Sequence, residues 1–358
     1  MRRALQALAG LAVSGVALWL TLRGKDLSAI WRAGWEADHR YLLGYLLTAS
    51  AIHFARTVRW RILLDPVARI PFARINAACA VGFMALFILP LRIGEFARPY
   101  LVAQRPALRV SAALSSVVVE RVADGVFTAG MLVLALLAVP EGTANLPLLR
   151  GAGWVMLGLF AGLVAFLVVA YRSRDRAVSL TRRLLAPLSP RLADRVGGMM
   201  DAFIHGLRQV PGGRGLATFL LLTVAYWGLN GLGMLILARG FGITLDLVQA
   251  FTVLGVLVVG VMIPAGPGMV GTFQYAVVLA LSLFVPREVV DVRGQAYANV
   301  LWGAQLFQLT LFGLVALFSR HIRLAAIFRA PGEIESGLEE EERDYQAQEA
   351  GRGKGGGA

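Results

Sequence analysis

Three charged side chains recur at every third position directly behind a proline. They are Arg92, Glu95 and Arg98 in the stretch Phe87-Ile88-Leu89-Pro90-Leu91-Arg92-Ile93-Gly94-Glu95-Phe96-Ala97-Arg98-Pro99, which ends an apolar run. A planar guanidinium grips a phosphate through two parallel hydrogen bonds, so Arg92 and Arg98 are candidate phosphate ligands, with Glu95 as counter-charge when the site is empty. A second group follows at Glu120, Arg121 and Asp124; Glu120 and Asp124 stand four residues apart, on one helical face. An ionisable residue inside a membrane costs roughly 2.5–3.5 kcal/mol on insertion scales, which makes it a functional-site hypothesis. The same six residues also suit a buried ion network that fixes one segment to another, and the sequence leaves both roles open. Further along, Asn299, Gln305 and Gln308 supply neutral amides, suited first to hydrogen bonds between helices and second to sugar or glycerol hydroxyls, and Gln274 is a further secondary polar candidate.

Other chemistries lack residues. Cys79 is the single cysteine, and His39, His53, His205 and His321 show no metal-ligand spacing, so no metal, no cofactor and no catalytic set are expected. The composition, 57% apolar and 16% charged with mean hydropathy +0.66, belongs to an all-α polytopic membrane protein. The net charge of +13 does not point to nucleic acid, because the arginines collect between apolar runs without an aromatic-interleaved basic face. That distribution follows the positive-inside rule.

The elements that must carry the charged residues read in order as follows. Ala4 to Leu22 is a first span, with an external loop from Arg23 to Arg40 and a return span from Tyr41 to about Leu64. Arg56, Arg59 and Trp60 are expected to snorkel at the interface. Ile75 to Leu91 is short for a span, and Arg92 to Arg109 holds five charges with Pro99 and Pro106, so the two form a re-entrant hairpin. Val110 to Val139 and Gly151 to Tyr171 are spans. Residues 172–214 carry nine arginines against three aspartates, and Leu192, Val196, Met199, Phe203, Leu207 and Val210 there describe an amphipathic helix lying on the cytoplasmic face as a linker between halves. Leu216 to Ala238 is a span with Tyr226, Trp227 and Asn230 at its middle. Asp246 to Val285 is broken by Pro264-Ala265-Gly266-Pro267-Gly268-Met269-Val270-Gly271 and forms a second re-entrant hairpin from the opposite side. Ala296 to Phe318 is the last span, Arg320, Arg323 and Arg329 place the C-terminus inside, and 333–358 is an acidic, then glycine-rich tail expected to be disordered.

The expectation is thus a domain over 1–325 with about six full spans and two re-entrant hairpins, arranged as inverted halves over 42–139 and 216–318. Pro90, Gly94, Pro264, Pro267, Gly268 and Gly271 mark the hairpin turns. Gly/Pro-interrupted segments at matching positions of inverted halves point to a transporter's central site, with the two tips meeting near the midplane.

Three stretches carry a resemblance: Pro90 to Pro99, Glu120-Arg121-Val122-Ala123-Asp124, and Pro264 to Gly271. They resemble the signatures of the flippase-like, lysylphosphatidylglycerol synthase transmembrane-region family, which is similar to the lipid-flipping half of the multiple peptide resistance factor. The resemblance covers about residues 1 to 325 and implies a lipid flippase of a bacterial inner membrane with both termini cytoplasmic. Gln274 stands where members often carry an acidic residue, and no aminoacyl-transferase residues follow, so synthase activity is not expected. The partners implied are an anionic phospholipid or a polyprenyl-phosphate-linked lipid; homo-oligomerisation is compatible with the pattern. Two other functions remain: a lipid-modifying transferase using Glu95, Glu120 or Asp124 as general base, and a membrane scaffold without transport.

Overall fold

The structure, a computed structural model, describes residues 2–89, 94–103, 108–143, 145–187, 189–208, 211–263, 265–318, 336–338, 340–341 and 343. Among them there is no strand. The helices are α1 (Arg2–Leu22), α2 (Leu27–Glu36), α3 (His39–Leu64), α4 (Phe72–Ile88), α5 (Gly94–Ala103), α6 (Val110–Leu137), α7 (Leu146–Arg172), α8 (Arg174–Leu185), α9 (Pro190–Leu207), α10 (Gly213–Gly240), α11 (Leu247–Met262), α12 (Thr272–Leu281), α13 (Arg287–Val289) and α14 (Gln295–Phe318). A π-helical turn, Val290–Gly294, joins α13 to α14. By length and apolar composition together, three stretches qualify as membrane spans: Leu146–Arg172, Gly213–Gly240 and Arg287–Phe318. α3 and α6 are as long, at 26 and 28 residues, but carry charges within the apolar run; the charges on α6 and Arg59 on α3 are turned toward the interior or half-buried.

The chain breaks where the prolines and glycines foretell it. α4 ends at Leu89, and Pro90 and Arg92 lie outside the described residues. α5 then packs antiparallel against α4 at backbone distance: a Cβ on Gly94 would lie 2.1 Å from the Leu86 nitrogen and 2.4 Å from the Gly82 oxygen. The second break runs from Ile263 to Gly271, with Pro264 also outside the described residues. A 3₁₀ turn at Pro267–Met269 interrupts it. Gly268 (φ +69°) and Gly271 (φ +87°) adopt the left-handed backbone that only glycine enters without strain.

Early and late helices interlock. α3 lies antiparallel along α10, close enough that Gly44 meets Ile236 and Gly233 meets Tyr45 and Thr48. α4 packs on α14, and α11 packs on α6 through Gly255 against Leu132. The end of α4 meets the second break: Gly268 approaches the Phe87 oxygen, the indole of Trp302 donates to the Gly268 oxygen at 2.7 Å, and the Phe87 and Trp302 rings lie 6.4 Å apart.

Three elements differ from the sequence reading. The loop from Arg23 to Arg40 contains α2, because Asp26 caps its first turn by accepting from the Ser28 and Ala29 nitrogens and Ile30 is buried beneath it. α9 is not a helix lying free on a surface. Gly206 meets the backbone of Ser111, the Ser115 hydroxyl donates to the Phe203 oxygen at 2.9 Å, and Ala202 and Ile204 are wholly buried, so α9 is docked on the start of α6. Leu192 and Val210 of its expected stripe are not described. Within the tail, Ser336–Leu338, Glu340, Glu341 and Arg343 are helical. Leu338 is 2% exposed against Ala202, Tyr100 and Met199, and the Glu341 carboxylate accepts from the Val110 nitrogen at 2.6 Å, capping α6.

Two outcomes are expected. Gly94→Ala forces α5 off α4 and costs about 1–3 kcal/mol, whereas Gly15→Ala, with open space around its position, is neutral. The buried thiol of Cys79 reports this directly, since it reacts with a maleimide dye only on unfolding and should do so at lower temperature in the Gly94 variant. Glu341→Ala should lower amide protection at Val110 and Ser111 about fivefold in hydrogen exchange, the equivalent of a lost cap of about 1 kcal/mol.

Candidate functional site

The charged residues of α5 and α6 meet around an arginine from α3. Arg59 is completely buried and projects between two α6 carboxylates. Its Nη2 lies 2.7 Å from Asp124 Oδ1 and 3.3 Å from Glu120 Oε1. Arg98 reaches from α5 to Glu120 Oε2 at 3.0 Å, and Arg121 lies 3.4 Å from Glu120 Oε1. Glu95 is within electrostatic reach of Arg121. On α10, Trp227 donates its indole N–H to Asp124 Oδ1 at 3.0 Å. Both oxygens of each carboxylate are thus occupied by fixed donors.

Aromatic rings form the floor of the cluster. The Arg98 guanidinium sits 4.5 Å from the Phe83 centroid and 5.0 Å from that of Trp60, and Arg59 sits 4.5 Å from the Tyr226 ring. Arg56 lies 3.7 Å above Phe83 and donates to the Tyr226 hydroxyl at 3.0 Å. Such ring faces attract a cation without neutralising it. Four guanidiniums (Arg56, Arg59, Arg98, Arg121) therefore share the site with three carboxylates (Glu95, Glu120, Asp124), one positive charge in excess. Several of their buried donors, Arg59 Nε and Nη1, Arg98 Nη1 and Arg121 Nε, have no acceptor among the described residues.

Local sequence explains the placement. Gly82 lets α5 close on α4, and a Cβ there would fall 2.2 Å from Arg98 Cγ; this contact lays the Arg98 stem along α4. Trp60 is held by donating to the Ser116 hydroxyl at 3.0 Å. Four of the six charged candidates, Arg98, Glu120, Arg121 and Asp124, come together through direct ion pairs, Glu95 stands beside them, and Arg92 lies outside the described residues.

The expectation that Arg59 and Trp60 snorkel to the membrane interface is overturned, while Arg56 is half-buried. Arg59 and Trp60 are 0% exposed, because the carboxylates of α6 draw the arginine inward and Ser116 satisfies the indole. The signal was present: Arg56 and Arg59 share one face in the last turns of a 26-residue helix. Tyr226 and Trp227 were equally visible as polar-tipped aromatics at mid-span. The amides of α14 are not joined to the cluster by any hydrogen bond among the described residues. Asn299 lines a groove of about 780 Å³ between α2, α3 and α14, Gln305 bonds Tyr45, and Gln308 is buried with its Nε2 unpartnered among the described residues. Gln274 accepts from the Gly271 nitrogen at 2.8 Å, closing the second turn.

Comparison by sequence matches the lysylphosphatidylglycerol synthase TM region over residues 7–290. The chain belongs to this family. A search of curated proteins found no match. The lysylphosphatidylglycerol synthase TM region here spans both breaks in the chain and the whole charged cluster, and it makes the protein a membrane protein of a lipid-related family. Among the described residues no group of His, Cys, Asp and Glu has the arrangement of a metal site.

The buried pair sets a clear expectation. Arg59→Met strands the Asp124 carboxylate, which keeps only the Trp227 indole, while Glu120 retains Arg98 and Arg121. It should cost about 3–5 kcal/mol. Adding Asp124→Leu should recover part of that loss, since the stranded charge is gone, and Cys79 labelling on heating measures both variants.

Proposed function

We propose that the protein is a lipid translocase that moves an anionic phospholipid or a polyprenyl-phosphate-linked lipid across a bacterial inner membrane. One observation carries the reading: among the described residues the buried cluster has one uncompensated positive charge and guanidinium donors without acceptors. A phosphodiester brings one negative charge and several acceptor oxygens, and so meets both deficits. Arg98 and Arg121, together with Arg92, are the proposed phosphate ligands. Glu95, Glu120 and Asp124 hold the guanidiniums in place between occupancies.

The helix contacts support an inverted repeat. Exchanging α3, α4, α5 and α6 for α10, α11, α12 and α14 turns the α4–α14 contact into α11–α6 and leaves α3–α10 in place. In that arrangement the pairs α4/α5 and α11/α12 are re-entrant hairpins whose tips meet at Phe87 and Gly268, and each gates one side. The groove of about 780 Å³ is apolar apart from Asp38, His39 and Asn299, and suits acyl chains. It starts at least ten residues along α3 from Arg56, about 15 Å at helical rise. The arginine-rich end of the bundle faces the cytoplasm on the positive-inside rule, with both termini there.

A general-base role for Glu120 or Asp124 draws no support from the geometry, because both carboxylates are saturated by arginine and tryptophan donors.

The test is reconstitution in liposomes with a fluorescent phosphatidylglycerol and an impermeant quencher. Wild-type protein is expected to expose inner-leaflet lipid. Arg121→Gln, whose side chain is 36% exposed and makes a single long ion pair, should fold normally. It should slow movement about tenfold, as loss of one charge-assisted hydrogen bond does. Absence of movement beside an active control scramblase removes the reading; an unchanged rate in Arg121→Gln removes the phosphate assignment.

A further inference from the structure

A second arginine cluster lies away from the buried one, at the junction of α7, α8 and α9. Ser173 leaves the helical region (φ −139°, ψ 74°), so α7 stops and α8 starts in a new direction. Arg172 before the break and Arg176 after it are thereby brought around one pocket of about 470 Å³, lined also by Ser173, Arg174, Asp175 and, from the end of α9, Arg208.

The pocket has a fixed wall and free charges. Arg174 donates from Nε and Nη2 to the two oxygens of Asp201 on α9, a bidentate clamp that holds α8 to α9 and is not available to a ligand. Arg172, Arg176 and Arg208 are exposed and form no ion pair with a described residue. Against these three guanidiniums the lining supplies one carboxylate, Asp175, once Arg174 and Asp201 are set aside as a neutral pair. Three like charges gathered on three elements repel one another unless an anion sits among them. Their position says which kind. Val168, Val169 and Tyr171, at the last turn of α7, are 44%, 46% and 53% exposed, an apolar surface ending in a tyrosine, as at a membrane–water boundary. The pocket opens within a few residues of that boundary.

We infer that this pocket binds a phosphate group at the membrane surface, that of an anionic phospholipid headgroup in the adjoining leaflet. Planar guanidiniums from α7, α8 and α9 converge on the phosphate while the acyl chains lie along the exposed face of α7. This site is separate from the buried cluster and stands whether or not that cluster translocates lipid.

The experiment uses the full chain in nanodiscs of phosphatidylcholine doped with phosphatidylglycerol, with bound lipid counted by native mass spectrometry. Arg172→Gln, Arg176→Gln and Arg208→Gln should each weaken phosphatidylglycerol retention about fivefold, and the triple variant on the order of a hundredfold. A control triple variant, Arg61→Gln, Arg69→Gln and Arg183→Gln, removes equal charge from exposed positions elsewhere and should keep retention. Equal loss in both triples reduces the effect to bulk surface charge and overturns the site, as does full retention in the first. Inorganic phosphate, titrated against the wild type in neutral detergent, identifies the source. Competition at millimolar concentration means that phosphate alone is recognised, and its failure beside intact lipid binding means that the glycerol headgroup is read as well. In both arms the pocket is the binding site.

Discussion

Arg59 is the constraint on which the arrangement of helices rests. A guanidinium with no exposure to solvent is tolerable only if carboxylates meet it at hydrogen-bond distance, and the two that do so both belong to α6. This fixes the rotation and the axial register of α6 against α3. Glu120 then extends the constraint to α5 through Arg98, and Asp124 extends it to α10 through Trp227. Four helices, α3, α5, α6 and α10, are thus set by two cations, Arg59 and Arg98, and two anions. The aromatic floor adds attraction without adding a counter-charge, and so the cluster stays positive.

Close backbone packing works in concert with these charges. A cluster of this kind needs its arginine stems to run along helices and not through lipid, and Gly82 supplies the room for the stem of Arg98. The glycine contacts between α3 and α10 and between α11 and α6 have the same effect elsewhere, replacing side-chain volume by backbone approach where no hydrophobic driving force separates helix from lipid. α1 joins the fold by this route too. Gly10 meets the Ala265 oxygen, and the Ser14 hydroxyl accepts from the Gly266 nitrogen, which anchors α1 to the second turn.

What could be read in advance followed from local rules. The breaks after Leu89 and between Ile263 and Gly271 were legible because proline and left-handed glycine disfavour a continuing helix, though Pro99 stands inside α5, and the acidic face of Glu120 and Asp124 follows from helical spacing alone. Arg59 was misplaced because an arginine near a helix end has two ways to be satisfied, water or a carboxylate 61 residues away, and only the tertiary fold decides between them. The docking of α9 escaped for a similar reason: its apolar stripe fits a membrane surface as well as it fits α6, and the deciding contact is the absence of a side chain at Gly206. Leu338 and Glu341 lie in a stretch whose composition predicts disorder; one buried leucine and one capping carboxylate suffice to seat a single helical turn there.

The contact between Phe87 and Gly268 joins the two breaks in the chain. Phe87 lies in the last turn of α4, the helix along which the stem of Arg98 runs, and Gly268 belongs to the turn that anchors α1, so on the translocase reading any opening between α4 and that turn separates Phe87 from Gly268 and pulls the Trp302 hydrogen bond with it. On the translocase reading, an anion entering the cluster acts on α5 from the other end. It competes with Glu120 for Arg98, and transfer of that donor weakens the tie between α5 and α6; Arg121, the neighbour of Glu120 on α6, supplies a donor without breaking a tie between helices. Arg59 takes no part in that exchange, since its ion-pair partners are on α6 alone. The cluster therefore has a fixed half, Arg59 with Asp124 and Trp227, and an exchangeable pair, Arg98 with Glu120, and it is Arg98 that ties α5 to α6.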